Sequence, residues 1–316
     1  MNKLIAIFLS LGFLLCISCK KEEEPMPQTI QDNITYCFDY PLPSSNQEYN
    51  LFYDGTQYLY PQVNFQNDKM VFYRFNTEDY KNQVFEIVEY DIHSETERIV
   101  AKDYNVYPHL ASNKFGDVFF NSVPKGLNII IDGIVTKIPH SKLISFPVWL
   151  SNRRYGFQKG NRFYISDIKH NLLDSIDLPN YVFIADADIN KNNEMVFESQ
   201  TDGSLFVFTL NLNTKALTTL QKYNSDNKKS IRWHPDSKSI YYTNSKGLIK
   251  YDLQKKQEEV IQENCDNKVF ESFSFSSDNT LFVQCKNMIL RDSSNIDIKE
   301  AIYKMDADGK NIERVF

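Results

Sequence analysis

The sequence predicts an all-β fold, a six-bladed β-propeller of four-stranded antiparallel blades, and three observations predict it. A unit of roughly forty residues recurs six times, the signature of stacked supersecondary repeats. Within each unit an apolar residue leads into a polar turn and then a β-rich run. Composition agrees: 23 Phe and 19 Tyr stand against 10 Gly and 11 Pro in 316 residues, a balance that favours strands over helices or disorder.

The six units open at "PQVNFQNDKMVFY" from Pro61, "PHLASNKFGDVFF" from Pro108 and "PVWLSNRRYGFQ" from Pro147. They continue at "ADINKNNEMVFES" from Ala187, "IRWHPDSKSIYYT" from Ile231 and "FSFSSDNTLFVQC" from Phe273. The third position is apolar in every copy: Val63, Leu110, Trp149, Ile189, Trp233 and Phe275. Packing between neighbouring blades accounts for both tryptophans better than a sugar-binding platform does.

A turn rich in Asn, Asp, Ser and Lys follows, suited to a tight reversal. Third strands are predicted at 87–92, 162–168, 205–212, 248–253 and 301–308, and short fourth strands at 97–100, 216–220, 258–261 and 312–316. Four short strands in each unit make a propeller blade. The second unit is the weakest copy, its last two strands placed around the Asp132–Gly133 hairpin turn. Residues 34–59, with "ITYCFDY" and "YNLFYDG", are expected to supply an extra N-terminal strand pair that closes the ring or starts a partial blade.

"WHPDSKSIYY" (233–242) and "IYKMDADGKNIERVF" (302–316) resemble the blades of TolB-type six-bladed propellers, with their W-S-P-D-G-K turn and I-Y-x-M-D/N-A-D-G run. The likeness covers residues 60–316 and is close in the last two copies, where His234 and Ser237 stand in place of the usual Ser and Gly. It implies a TolB-like propeller domain at 34–316.

The N-terminus carries an address. A short basic start precedes the apolar run Leu4–Ile17, the length of a signal h-region and too short to span a bilayer comfortably. "LLCISCKKEEE" resembles the lipobox of bacterial lipoproteins, with Ser18 before the cysteine and Cys16 where Leu is usual. The resemblance implies a signal peptide at 1–18, lipid attachment at Cys19 and a charged tether at 19–33. Two or more acyl chains anchor stably where one does not, so the membrane is reached through the lipid alone. The expected location is the bacterial cell envelope, on the periplasmic side or the surface of the outer membrane.

A net charge of −6 gains nothing from counterion release, so no nucleic acid is expected as partner. Beyond the lipidated position, Cys37, Cys265 and Cys285 remain. Cys265 and Cys285 either bridge in an oxidising compartment or stay buried thiols. Five scattered histidines and the absence of Cys-x-x-Cys, His-Glu-x-x-His or Gly-x-Ser-x-Gly spacing give no metal site, cofactor or nucleophile. "DADINKNNE" (186–194) alternates oxygen ligands like a calcium loop, yet has Lys191 and Phe197 where such a loop needs Gly and Glu. It reads as a repeat turn.

The function expected is that of a non-enzymatic envelope lipoprotein whose propeller binds a protein or glycan partner through rim loops. The alternative is a glycan lyase or hydrolase with carboxylates or histidines converging at the channel mouth. A hydrolase domain of the kind that dipeptidyl-peptidase-like propellers carry is not expected, since the chain reaches Phe316 inside its last blade. The longest insertions, 76–83 and 286–300, are expected as loops that form one patch, with Tyr80, Ile289, Leu290 and Arg291 as its partner-binding residues.

Overall fold

The computed structural model describes residues 50–316 apart from 54, 65–68, 78–83, 105, 114–115, 123–125, 140–146, 151–152, 181, 202–203, 225–229, 266–267 and 293–294. The predicted signal peptide, Cys19, the tether and Tyr80 lie outside the described residues. No helix among the described residues is long and apolar enough to cross a membrane.

Six sheets follow one another along the chain. After β1 (Asn50–Tyr53), blade 1 comprises β2 (Thr56–Asn64), β3 (Lys69–Asn76), β4 (Val84–Asp91) and β5 (Thr96–Tyr104). Blade 2 comprises β6 (Val106–Ser112), β7 (Val118–Ser122), β8 (Gly126–Ile131) and β9 (Ile134–Lys137). Blade 3 holds β10 (Val148–Leu150), β11 (Arg154–Lys159), β12 (Arg162–Asp167) and β13 (Leu172–Asp177). Blade 4 holds β14 (Ala187–Ile189), β15 (Glu194–Thr201), β16 (Ser204–Asn211) and β17 (Leu217–Asn224). Blade 5 is β18 (Ser230–Trp233), β19 (Ser239–Asn244), β20 (Gly247–Asp252) and β21 (Gln257–Glu263). Blade 6 is β22 (Lys268–Phe275), β23 (Leu281–Asp292), β24 (Asn295–Met305) and β25 (Glu313–Arg314). Each of the first five is an antiparallel meander, and the first strands of adjacent blades touch around the ring, β22 meeting β2.

Burial explains the choice of residues. β19, "SIYYTN", is buried along its whole length, because a second strand is covered on both faces by the flanking blades. The outer strands face water on their far side: β9 is exposed throughout and β21, "QEEVIQE", is mostly so. The core is a set of seams between blades. Ile231, Trp233, Ile240 and Tyr242 of blade 5 pack with Val196 and Val207 of blade 4. Phe119 of blade 2 stacks on Trp149 of blade 3 at 4.2 Å, and the Trp149 Nε1 donates to the Ala111 carbonyl at 2.9 Å. The six repeat positions are buried in this way except Ile189, which is half-buried.

The repeat is conformational where identity fails. The turn between the first two strands places one residue in the left-handed region in blades 2 to 6: Gly116, Arg153, Asn193, Ser237 and Asn279. The turn between the third and fourth strands does the same with Glu95, Asp132, His170, Lys215, Lys256 and Asn311. At Asp132–Gly133 both residues have positive φ, the type I′ geometry that the dipeptide predicts.

The ring closes differently from the expected strand pair. Among the described residues a single strand, β1, pairs parallel with β24 (Asn50↔Asn295 to Tyr53↔Ile298), and β25 pairs with the far end of the same edge. Residues 56–59 belong to β2, so blade 1 starts earlier than Pro61, and 34–49 lie outside the described residues. The seam is polar and buried: Gln57 Oε1 accepts from the Glu300 amide at 2.7 Å and Gln284 Oε1 from the Tyr60 amide at 2.9 Å. Gln284 Nε2 also donates to Glu300. Phe316 completes it, packing its ring on Tyr58, Phe72 and Tyr90 of blade 1.

Cys265 and Cys285 are not bridged to each other. Cys265 is disulfide-bonded, whereas Cys285 is a free thiol with no solvent exposure, and burial pushes its pKa up to about 12. The side chain of Cys285 sits in the blade 6 core beside Phe270 and Phe273.

Candidate functional site

In an antiparallel meander successive turns fall at alternate ends, so each blade sends its first and third turns to one face of the disc and its second turn to the other. Both long insertions are second turns, between β3 and β4 and between β23 and β24, and share one face. Residues 78–83 of the first lie outside the described residues. The second is not the expected loop. β23 and β24 stay paired through Asp292↔Asn295, so residues 286–300 form the two arms of one long hairpin. The run lacks Gly and Pro, its first arm carries the apolar Met288, Ile289 and Leu290 and its second alternates polar with apolar residues from Asn295 to Lys299, and strand pairing is cheaper for such a run than leaving its backbone groups unmatched.

Ile289 stands on this hairpin with about half its surface exposed (49%) and opposite Asp297. Leu290 and Arg291 lie in the same strand, their side chains outside the described residues. Ile296 and Ile298 are buried on the other arm. The pairing of β22 with β23 stops at Lys268↔Asn287. From Met288 onward β23 therefore has an edge with no strand beside it among the described residues.

The opposite face holds a cavity of about 550 Å³ at the mouth of the central channel. Its walls are the ends of the first strands of blades 2 to 5, with Gln62 and Ser277 from blades 1 and 6. Composition alone did not reveal this, because the wall residues are also repeat residues. Trp149 and Trp233 are core, at 6% and 2% exposure, and yet border the cavity.

One wall is a charged latch between blades 4 and 5. Asp186 Oδ2 accepts from the Ile231 amide at 3.0 Å and from Arg232 Nη1 at 2.7 Å. Asp188 Oδ2 accepts from the Trp233 amide at 2.8 Å. The two aspartates of the calcium-like stretch are thus spent on the neighbouring blade, and Asn190 Oδ1 closes the turn by accepting from the Asn192 and Glu194 amides. Burial raises the Asp188 pKa to about 6, against the opposing pull of Arg232 and the Trp233 and Ile189 amides. Burial alone would lower the Arg232 pKa, but Asp186 and Asp188 outweigh it and raise the value.

Across the mouth Arg153 lies 3.5 Å from Asp117, whose carboxyl is raised by burial against the pull of Asn113 and Arg153. His234 borders the cavity with Nδ1 2.9 Å from Asp236. His170, on the β12–β13 turn, shares a 2.9 Å hydrogen bond between its Nδ1 and the Tyr155 hydroxyl. No group of three or more His, Cys, Asp or Glu among the described residues is arranged to hold a metal ion.

No protein-family model matches the chain, and no curated protein matches it. Solved structures do. The putative TolB from Agrobacterium tumefaciens is similar at a TM-score of 0.57 and 13% identity, covering 73% of this chain and 88% of that one. TolB from Acinetobacter baumannii aligns at 0.49 and 13%, covering 74% of this chain, which spans 65% of that protein's length. An oligogalacturonate lyase solved in complex with manganese aligns at 0.48 and 12%, covering 79% and 89%. At these identities the likeness is one of fold, the six-bladed propeller.

Proposed function

We propose that this propeller is a non-enzymatic binding module, anchored through lipid on Cys19 to a bacterial envelope membrane, and that it captures a protein or glycan partner on the face bearing the β23–β24 hairpin. The observation that carries the reading is the hairpin itself. Its arms run past the end of β22, present exposed Ile289, and among the described residues no strand lies beside the Met288–Asp292 edge. An open edge offers N–H and C=O groups to an extended partner, with alternate side chains available for recognition. The enzyme reading needs converging catalytic groups at the channel mouth. There Asp186 and Asp188 are instead engaged by Arg232 and by backbone amides.

Two variants test the proposal in intact envelopes. Ile289→Lys, on the exposed arm and clear of the Asn295–Ile298 and Glu300 contacts that close the ring, is expected to leave the melt cooperative and abolish co-purification of the partner. Cys19→Ser is expected to remove labelling by a lipid precursor and release the protein from membranes. Capture retained by the folded Ile289→Lys variant, or depolymerisation of envelope glycans by the purified protein, overturns the binding reading.

A further inference from the structure

The channel mouth on the other face has features that the hairpin reading does not use. Arg232 borders the cavity with 12% of its side chain exposed. Both protein acceptors of its guanidinium, Asp186 Oδ2 and its neighbour's Ile231 carbonyl, bind the same nitrogen, Nη1. Its Nε and Nη2 make no hydrogen bond among the described residues. A guanidinium held by one corner keeps its orientation, and the remaining pair of parallel donors matches the two oxygens of a carboxylate. The walls beside it are largely apolar, with Val148, Trp149, Leu150 and Trp233 bordering the same space.

We propose that this cavity is a second binding site, for an acidic peptide segment whose carboxylate sits on the Nε/Nη2 edge of Arg232 and whose apolar flanks pack on the tryptophan-lined wall. Arg232 is flanked by Asp186 and Asp188, and among the charged side chains that border the cavity Arg153, Lys191 and Arg232 outnumber these two carboxylates by one, which favours an anionic group. A peptide fits the chemistry better than a sugar acid. A glycan of comparable size brings many hydroxyls, each of which needs a partner when buried, and the apolar part of this wall supplies none.

The two tryptophans are the only ones in the chain, and both border the cavity, so intrinsic fluorescence reports its occupancy directly. The test titrates the whole purified protein with a terminally blocked tetrapeptide carrying one glutamate among apolar residues, with the glutamine counterpart, and with digalacturonate. Saturable quenching or a spectral shift with the glutamate peptide is expected, with affinity at least about tenfold above the glutamine peptide. Arg232→Lys, which keeps the charge and loses the fork, is expected to weaken the glutamate peptide by about tenfold and narrow its lead over glutamine. The comparison of the two peptides on the unaltered protein stands even if that variant folds poorly. Equal responses to the two peptides, no saturable response, or a preference for digalacturonate overturns the proposal. Ile289→Lys, on the opposite face, leaves this binding unchanged, which separates its outcome from that of the partner-capture reading.

Discussion

The Asp188 carboxylate accepts the amide proton of Trp233 at 2.8 Å and so joins the first strands of two blades that share no backbone ladder. Asp186 repeats the device one step away on the Ile231 amide. Gln57, accepting from the Glu300 amide, does the same at the closing seam. Side-chain oxygens take over here from the carbonyls that a continuous sheet would supply.

Asp188 makes stability depend on pH in a stated direction. Its folded pKa, about 6, lies above the value of about 3.9 in an unfolded chain. The folded form therefore holds the extra proton between those values, and the group's contribution is full below pH 4 and lost as pH rises through 6. Asp188→Asn keeps an acceptor for the Trp233 amide and removes the titration. Relative to the unaltered protein, the variant is expected to gain on the order of 2 kcal/mol between pH 4 and pH 7. Urea midpoints across that range check it, and a flat difference refutes the assignment.

Trp233→Ala opens the blade 4–5 seam and is expected to cost about 3–5 kcal/mol, as large-to-small aromatic changes in cores do. Trp233→Phe is expected to cost well under half of that. Among the described residues the buried indole Nε1 has no hydrogen-bond partner, so its removal forfeits no bond there. Guanidinium melts of the two variants give the ratio.

Ser237 adopts a φ of 62°, a left-handed conformation that glycine takes without cost. Ser237→Gly is expected to be neutral to stabilising, by up to about 1 kcal/mol, because relief of strain outweighs the added freedom of the unfolded chain. A loss greater than 1 kcal/mol in the same melts contradicts this.

Gly156 of β11 lies under the ring of Phe163, where an added Cβ would come within 2.0 Å of the Phe163 Cζ. Gly156→Ala is expected to destabilise by about 1–3 kcal/mol through overpacking. The double variant Gly156→Ala/Phe163→Leu is expected to recover part of that loss, and strict additivity in thermal melts argues against the contact.

Cys285 is expected to resist iodoacetamide in the native protein and to react at an ordinary rate once unfolded, since its thiolate is suppressed by burial. Mass spectrometry of the labelled peptide before and after denaturation reads the difference.

Much of the architecture is legible in the sequence because a blade repeats one demand at one position. The apolar third residue, the polar turn and the Asp132–Gly133 reversal each answer a local requirement, and the structure places them where the period predicts. What escapes is non-local. Nothing in "YNLF" says that β1 runs parallel to a strand near the other end of the chain. The run 286–300 is long and polar enough to read as a loop, and only its cross-strand pairing makes it a hairpin. Nor does "DAD" announce that its carboxylates reach the next blade. The left-handed turn residue passes unnoticed because Arg153, Asn193 and Ser237 share a backbone angle and no side-chain chemistry.

The closing seam also sets an order of events in time. Gln57 and Glu300 meet across 243 residues, and β1 finds its place only after β24 exists. A chain made or exported from its N-terminus carries β1 unmatched, and blade 1 uncovered on its closing side, while five blades assemble behind them. Contacts of such long sequence separation are reached late and slowly. Until then the Asn50–Tyr53 strand and the inner edge of blade 1 are open to pairing with other chains, the usual route from slow closure to aggregation. The interval before the circle is complete is thus the moment at which this protein most needs a holding chaperone.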